Sequence, residues 1–436
     1  MREWKIDGTV AICDEESRQT TLKERTTVPE TLIVSSFQQL LQAFAPCFTA
    51  PSFQTFTVLC CGWVLTMGRH TVTATIRAAN AVGWKHFSSF HRFFAKARWS
   101  PDRVGLALVR WIDSLLPKSA TLVVAIDDTL GRHTGKKIAG ASMHRDPLLS
   151  TAQRVLFHWG HVWVVLGINI CAFGKVWCLP VLLRLYRSRK RCQADGLAYR
   201  KCTELGAELV RLLADALPHR QIRVVGDAAY TNSAMIKGRP DNVTIIGRSR
   251  LDAAIYKPPP HRRPGQMGRP RVRGAKLASP ATQAAAPGAR WLSVDVMAYG
   301  KMATVHVFVV NALWYVAAGS EVVRLIVVRN FPGHKRDDCF VCTDPTVDPK
   351  TIVETFAQRW ALEVTFHDCK GKLGLEDPQN RTERAVQRTA PMALWMYSLV
   401  TLWYLTIGKD LRVSQLKRLP WYRQKQAPAF ADMLAH

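Results

Sequence analysis

The chain has 436 residues, enough for two or three domains, and 48% of them are apolar, which excludes a disordered chain. Sixty Lys and Arg against 33 Asp and Glu leave a net charge of +27, which points to a polyanionic partner, nucleic acid before a membrane surface. The first residues carry no apolar h-region, no uninterrupted apolar run reaches the ~18–20 residues a membrane helix needs, and the scattered cysteines suit reduced thiols.

Residues 1 to about 30 are polar and mixed in charge and read as a loose arm. From 31 to 117 the pattern is helical. Phe37, Leu40, Leu41 and Phe44 recur at helix spacing, and Pro46, Pro51 and Gly68 punctuate it. Between residues 69 and 98, Arg69, Arg77, Lys85, His86, His91, Arg92, Lys96 and Arg98 stand among aromatics. Such helices are either a DNA-binding domain with basic faces or a domain whose charges are simply solvated, and the first reading is favoured. Residues 117–119 mark the boundary.

The first strand covers 121–126 and ends at Asp127 and Asp128. Residues 131–151, with Lys136 and Lys137, read as a loop. Two further strands, 155–173 and 176–185, are joined through Gly174. The run 184–191 holds Arg187, Arg189 and Lys190, and is either a solvated loop or a phosphate grip. An amphipathic helix over 197–217 places Leu205, Leu209, Leu212 and Leu213 on one face. The strand at 222–225 ends at Asp227. Strand-like runs follow at 243–246, 291–297, 304–310, 313–317 and 322–328. Among them, 256–287 is rich in Pro, Arg and Ala, cannot build a core, and reads as a mobile basic loop with Arg262, Arg263, Arg269, Arg271 and Arg273. Gly268-Arg269-Pro270-Arg271 has the form of an AT-hook core, which reads a minor groove, or else it binds phosphate generically. Cys339 and Cys342 make a lone C-x-x-C, for which strand thiols are favoured over zinc. The apolar run at 392–407 reads as a buried core helix.

The stretch 355–373, TFAQRWALEVTFHDCKGKL, reads as one helix. Phe356, Arg359, Glu363 and Lys370 fall on one face of it at 3.6 residues per turn. Alone, such a face is ordinarily a solvated ion-pair surface. The two upstream apolar runs that end in Asp change this, because open α/β sheets place chemistry just past the carboxyl ends of their strands. Two strand-end carboxylates and one helix carboxylate make a site for a hard cation such as Mg²⁺.

The order Asp, Asp, Glu, with the last acid inside Phe-x-x-Arg-x-x-x-Glu-x-x-x-x-x-x-Lys, resembles the DDE transposases of bacterial insertion sequences. The matching group carries Tyr-x-x-Arg-x-x-x-Glu-x-x-x-x-x-x-Lys; here Phe356 stands in place of the Tyr. The resemblance spans roughly 122–375. It implies an α/β fold: an RNase H-like catalytic core over 118–436, interrupted at about 236–335 by a β-rich insertion and preceded by the helical DNA-binding domain. In such a sheet the first and fourth strands are neighbours, which puts Asp127 beside Asp227.

The resemblance also implies a transposase that works in the bacterial cytoplasm, away from membranes. It would bind double-stranded DNA, both transposon ends and target, as a homodimer in the DNA complex, and cut and join strands with two Mg²⁺ or Mn²⁺ ions. Asp127, Asp227 and Glu363 would hold the metals. Asp127 is preferred to Asp128 because it matches the Asp-x-Thr pattern through Thr129, and alternation sends Asp128 to the other side. Arg359 and Lys370 would hold phosphates with Phe356 packed beneath them. Trp291 and Trp314 are candidates for stacking a flipped base, or else core residues of the insertion. A metal nuclease of the same fold without strand transfer, or a non-catalytic DNA-binding derivative, are the alternative functions.

Overall fold

The apolar runs assemble into a twelve-stranded mixed sheet in the computed structural model, which describes residues 4–6, 9–12, 30–262, 264–408 and 427–435. The chain opens with β1 (Trp4–Ile6) and β2 (Thr9–Ile12). Part of the stretch expected as a loose arm is therefore strand, Glu30 at its end starts the first helix, and residues 13–29 lie outside the described residues. Then come α1 (Glu30–Leu41), a 3-10 turn (Gln42–Cys47), α2 (Ala50–Leu65), α3 (Val72–Ala78), α4 (Phe87–Ala95) and α5 (Pro101–Leu115). Pro51 and Pro101 stand at the starts of α2 and α5, where no backbone donor is needed and φ is already helical.

The central segment runs β3 (Leu122–Arg132), β4 (Ser142–Arg145), β5 (Phe157–Ala172), β6 (Lys175–Tyr186), α6 (Arg189–Ala194), α7 (Cys202–Ala216), β7 (Ile222–Gly226), α8 (Ser233–Ile236) and β8 (Val243–Ser249). β5 pairs antiparallel with both β6 and β3, and β3, β7 and β8 are parallel. The resulting order β6-β5-β3-β7-β8 fits an RNase H-like core. Phe173 and Gly174, at φ 53° and 69°, close the β5–β6 hairpin in the left-handed region that a tight two-residue turn requires.

Next come α9 (Pro280–Ala284), β9 (Leu292–Ala298), β10 (Lys301–Leu313), α10 (Tyr315–Ala318), β11 (Val322–Arg329) and β12 (Asp338–Cys342). These strands prolong the same sheet antiparallel from β8, in the order β8-β12-β11-β10-β9. The chain then continues through α11 (Pro349–Gln358), α12 (Trp360–Lys372), α13 (Glu383–Trp403), a π-helical turn (Tyr404–Gly408) and α14 (Phe430–Leu434).

Several expectations need correction. The run at 243–246 is β8, the fifth strand of the core and not part of the insertion. Residues 313–317 turn into α10, the arginine run enters α6, and the expected loop at 131–151 contains β4. Residues 256–287 are only partly a loop. The Lys257 amide donates to the Ala275 carbonyl and its carbonyl accepts from the Gly274 amide, Ala281 N donates to the Leu251 carbonyl, and Pro280 and Ala284 are buried.

The helices of residues 30–115 share one hydrophobic core with the sheet, so residue 117 divides segments of chain and not separate bodies. Buried Arg388 of α13 donates to the carbonyls of Phe94 at 3.1 Å and Ala97 at 2.8 Å, and also to that of Trp99, closing the end of α4. Arg220 does the same for α5, donating to Asp113 Oδ1 at 2.5 Å and to the Asp113 and Leu116 carbonyls at 3.1 Å. Such orphan helix-end carbonyls need a donor when water is excluded. Among the described residues one helix, Glu383–Ile407, is long and apolar enough to cross a membrane, but 83% of its most apolar window is buried inside the protein.

Candidate active site

β3 and β7 run parallel in a register that pairs Ala125 with Val225. Two residues further along, each strand presents an acid, Asp127 and Asp227. Toward β5 the β3 ladder does not stop there, since Asp127 pairs with Val165 and Asp128 with Val164. The acids were expected at a strand end, and they are at one only on the β7 side. Alternation separates the two aspartates. Asp127 turns to the junction of α11 and α12, and Asp128 to the opposite face, where the Tyr230 hydroxyl donates to its Oδ1 at 2.9 Å. The Asp128 amide donates to Asp127 Oδ1 at 2.8 Å, and the Ala229 and Tyr230 amides donate to Asp227 Oδ1 at 2.9 and 3.2 Å. Each acid thus has one oxygen fixed by backbone.

The helix expected over 355–373 is broken. α11 starts at an Asp348 cap followed by Pro349, ends at Gln358, and Arg359 forms the joint with α12. Phe356 therefore belongs to α11. It is 6% exposed, stacks on Phe340 at 4.2 Å, and lies 5.9 Å below the Arg359 guanidinium. Glu363 stands in the first turn of α12, where the helix dipole favours a negative charge.

Arg359 ties the acids together. Its Nη1 is 2.8 Å from Asp127 Oδ2 and its Nη2 is 2.7 Å from Glu363 Oε1. Asp227 acts on both Asp127 and Arg359 through space. Burial pushes the Asp127 carboxyl up to about 7; Arg359 pulls it down, and the negative charges of Asp227 and Asp128 add to the rise. Burial also raises Asp128, against the Tyr230 hydrogen bond. The expected metal-bridging cluster is not closed in this conformation. Among the described residues no set of three His, Cys, Asp or Glu side chains is gathered tightly enough for an ion, because the guanidinium stands between Asp127 and Glu363.

The family description of the DDE superfamily endonucleases matches residues 43–324, well over half of the chain. The chain belongs to the DDE superfamily of endonucleases. The match takes in Asp127 and Asp227 and ends before α12. No curated protein matches the sequence.

In this DDE-family enzyme the remaining expected residues are placed unequally. Lys370 donates to the Leu130 carbonyl at 2.7 Å and lies 3.9 Å from Glu376, and burial lowers its pKa. It ties α12 to β3 and is not directed at open solvent. Trp291 packs on Phe308 under the Arg329 guanidinium, and Trp314 caps α10. Arg69, Arg77, Arg92, Lys190, Arg269 and Arg271 are exposed. Lys85 lies over Trp84, Arg189 over Tyr199, and Arg273 over Tyr256. Arg187 is held by Glu383 at 2.5 Å, and Arg262 by the Gln266 carbonyl at 2.7 Å. Arg263 lies outside the described residues. Cys339 and Cys342 are buried thiols of β12, each pushed up to about 12 by burial, and their spacing of three sends them to opposite faces.

Three residues near the site escaped sequence reasoning. Tyr230 pins Asp128, and the signal was its place three residues after Asp227. Tyr299, at φ 51°, and Gly300 form the β9–β10 turn, and Tyr299 lies close enough to Arg359 and Glu363 to feel their charges. Half-exposed Trp360 meets Tyr299 edge-on at 6.2 Å.

Proposed function

We propose that this enzyme is the transposase of a bacterial insertion sequence. It binds the ends of its element as double-stranded DNA, cuts them, and joins the freed 3′ ends to target DNA, working as a homodimer on the DNA. The observation that carries the reading is the gathering of Asp127, Asp227 and Glu363, far apart in sequence, around one guanidinium at the carboxyl edge of parallel strands.

The donor set fits hard divalent cations. Three carboxylates converge here, Arg359 already serves as a stand-in cation between two of them, and burial with the neighbouring negative charges holds Asp127 near 7 despite that guanidinium. Asp127, Asp227 and Glu363 would hold two Mg²⁺ or Mn²⁺ ions, which supply an activated water and neutralise charge on the leaving oxygen. Asp127 must lose its proton before it can ligate. The backbone amides on Asp127 and Asp227 hold one oxygen of each, so the other oxygen of each would be the metal ligand, on Asp127 in place of its bond to Arg359. Arg359 offers a planar fork that matches a phosphate. Exposed Arg69, Arg77, Arg92, Arg269 and Arg271, with Lys190, supply sequence-independent grip on the DNA backbone.

The test uses DNA from the flanks of the coding region. Glu363→Gln keeps size and removes charge, so metal-dependent cutting and joining should fall by a factor on the order of 10³ or more while a gel shift stays unchanged. Cutting at the wild-type rate with normal binding would end this reading. A pre-cleaved end supplied to the wild type should give joined product. Hydrolysis without joining would make the enzyme a nuclease and not a transposase.

A further inference from the structure

The ion pairs at Arg359 have a consequence for the order in which the site is assembled. A guanidinium that recognises one carboxylate uses two parallel bonds to it. Arg359 instead spends its two terminal nitrogens on different acids, Asp127 at 2.8 Å and Glu363 at 2.7 Å. Those are the acids that the proposed chemistry needs free. Asp127 has no spare oxygen while this lasts, because Oδ1 is held by the Asp128 amide and Oδ2 by Arg359. The nearby Lys370 is engaged by the Leu130 carbonyl and makes no bond to these acids.

The fork itself is incompletely satisfied. Arg359 Nε is buried without a hydrogen-bond partner. Buried donors are normally paired, so the arrangement leaves a donor in reserve for a different partner. The backbone at Arg359 is fixed, with its amide bonded to the Phe356 carbonyl at 3.1 Å and its carbonyl receiving the Leu362 amide at 3.0 Å. The side chain rests over the Phe356 ring, and Glu363 at the mouth is 35% exposed. With the backbone held, the fork, 17% exposed where it stands, can leave the acids by rotation of the side chain alone.

Building on the function proposed above, we propose that Arg359 is an internal competitor of divalent metal: the DNA-free enzyme closes its own site with this guanidinium, and an ion enters only as the fork leaves Asp127 and Glu363. A phosphate group offers the fork an equivalent partner, so arrival of DNA and entry of metal become linked. The linkage keeps a nuclease centre from charging in the absence of its substrate.

The test is Mn²⁺ binding to the full-length, DNA-free protein, followed by calorimetry. Arg359→Met keeps the stem over Phe356 and removes the fork. It should bind Mn²⁺ more tightly than the wild type, by the roughly 5–150-fold typical of coupling between two ligands. Arg359→Lys, which reaches one carboxylate at a time, should gain less. Lys370→Met removes a nearby positive charge that is not on the acids and should change little. Adding Asp127→Asn to Arg359→Met should erase the gain. Thermal melts establish that each variant is folded, and Arg359→Gln replaces Arg359→Met if the latter is not. If Arg359→Met binds no tighter than wild type while Asp127→Asn abolishes wild-type binding, the competitor role is wrong and the site stands. An equal gain from Lys370→Met also overturns it, since general charge would then be the cause. If no variant shows Mn²⁺ binding that depends on Asp127 and Glu363, both the competitor role and the metal site fall.

Discussion

Asp127 combines a direct ion pair with a raised pKa, and the two are compatible because burial outweighs the single guanidinium. The folded protein therefore keeps a proton on Asp127 up to about pH 7, whereas an unfolded aspartate loses it near 4. Between these values the native state binds more protons than the unfolded one, so the contribution is present below about pH 4 and is lost as pH rises through 7. In metal-free buffer the melting temperature of Asp127→Asn, relative to wild type, should climb from pH 4 to 7 and level off above. A constant difference across that window would remove Asp127 from the titration. Phe356 allows a second test at this scale. A hydroxyl added to a ring stacked on Phe340 and 6% exposed enters an apolar layer, so Phe356→Tyr should destabilise the fold by about 1–3 kcal/mol in urea titrations. Restoring the residue of the resembled group is thus expected to harm this chain.

At the scale of elements, much of the core was legible because its signals are local. Apolar runs near Asp127 and Asp227 could only be strands, and their neighbourhood follows once the sheet order is known. The helix bearing Glu363 was also legible, but its break at Arg359 was not. Periodicity runs through the joint unaltered, and Arg359 keeps helical dihedrals there. β8 was assigned to the insertion because a short apolar run carries no mark of which strands it will join. The site residues Tyr299 and Trp360 come from elements far apart in sequence, and no spacing announces their meeting. Composition misled at 256–287. Polar in bulk, the segment still buries Pro280 and Ala284, and the Ala284 carbonyl accepts from Trp291 Nε1 at 3.2 Å. Replacing 258–273 with a short Gly-Ser link should leave the melting temperature nearly unchanged and weaken DNA binding. Extending the deletion to 287 should lower the melting temperature by several degrees, because it strips α9 from the insertion. Equal losses from both deletions would show that α9 contributes nothing.

Across the whole molecule, the charge of +27 is spread over helices, loops and the arginine run, and not concentrated at the acids. DNA affinity should fall linearly with salt on logarithmic axes, steeply enough for several phosphate contacts, and a flat response would refute that use of the charge. The same breadth marks the packing. Trp63 Nε1 donates to the Leu373 carbonyl at 2.9 Å across a sequence separation of 310, and Arg388 closes α4 from the far end of the chain. These contacts also set a timetable for synthesis. At ~5–20 residues per second, roughly 15–60 s separate the emergence of Trp63 from that of Leu373. Through that interval the early helices hold aromatic surfaces without the partner that will cover them. Chains truncated before α13 leave those surfaces uncovered and are expected in the insoluble fraction of the cell.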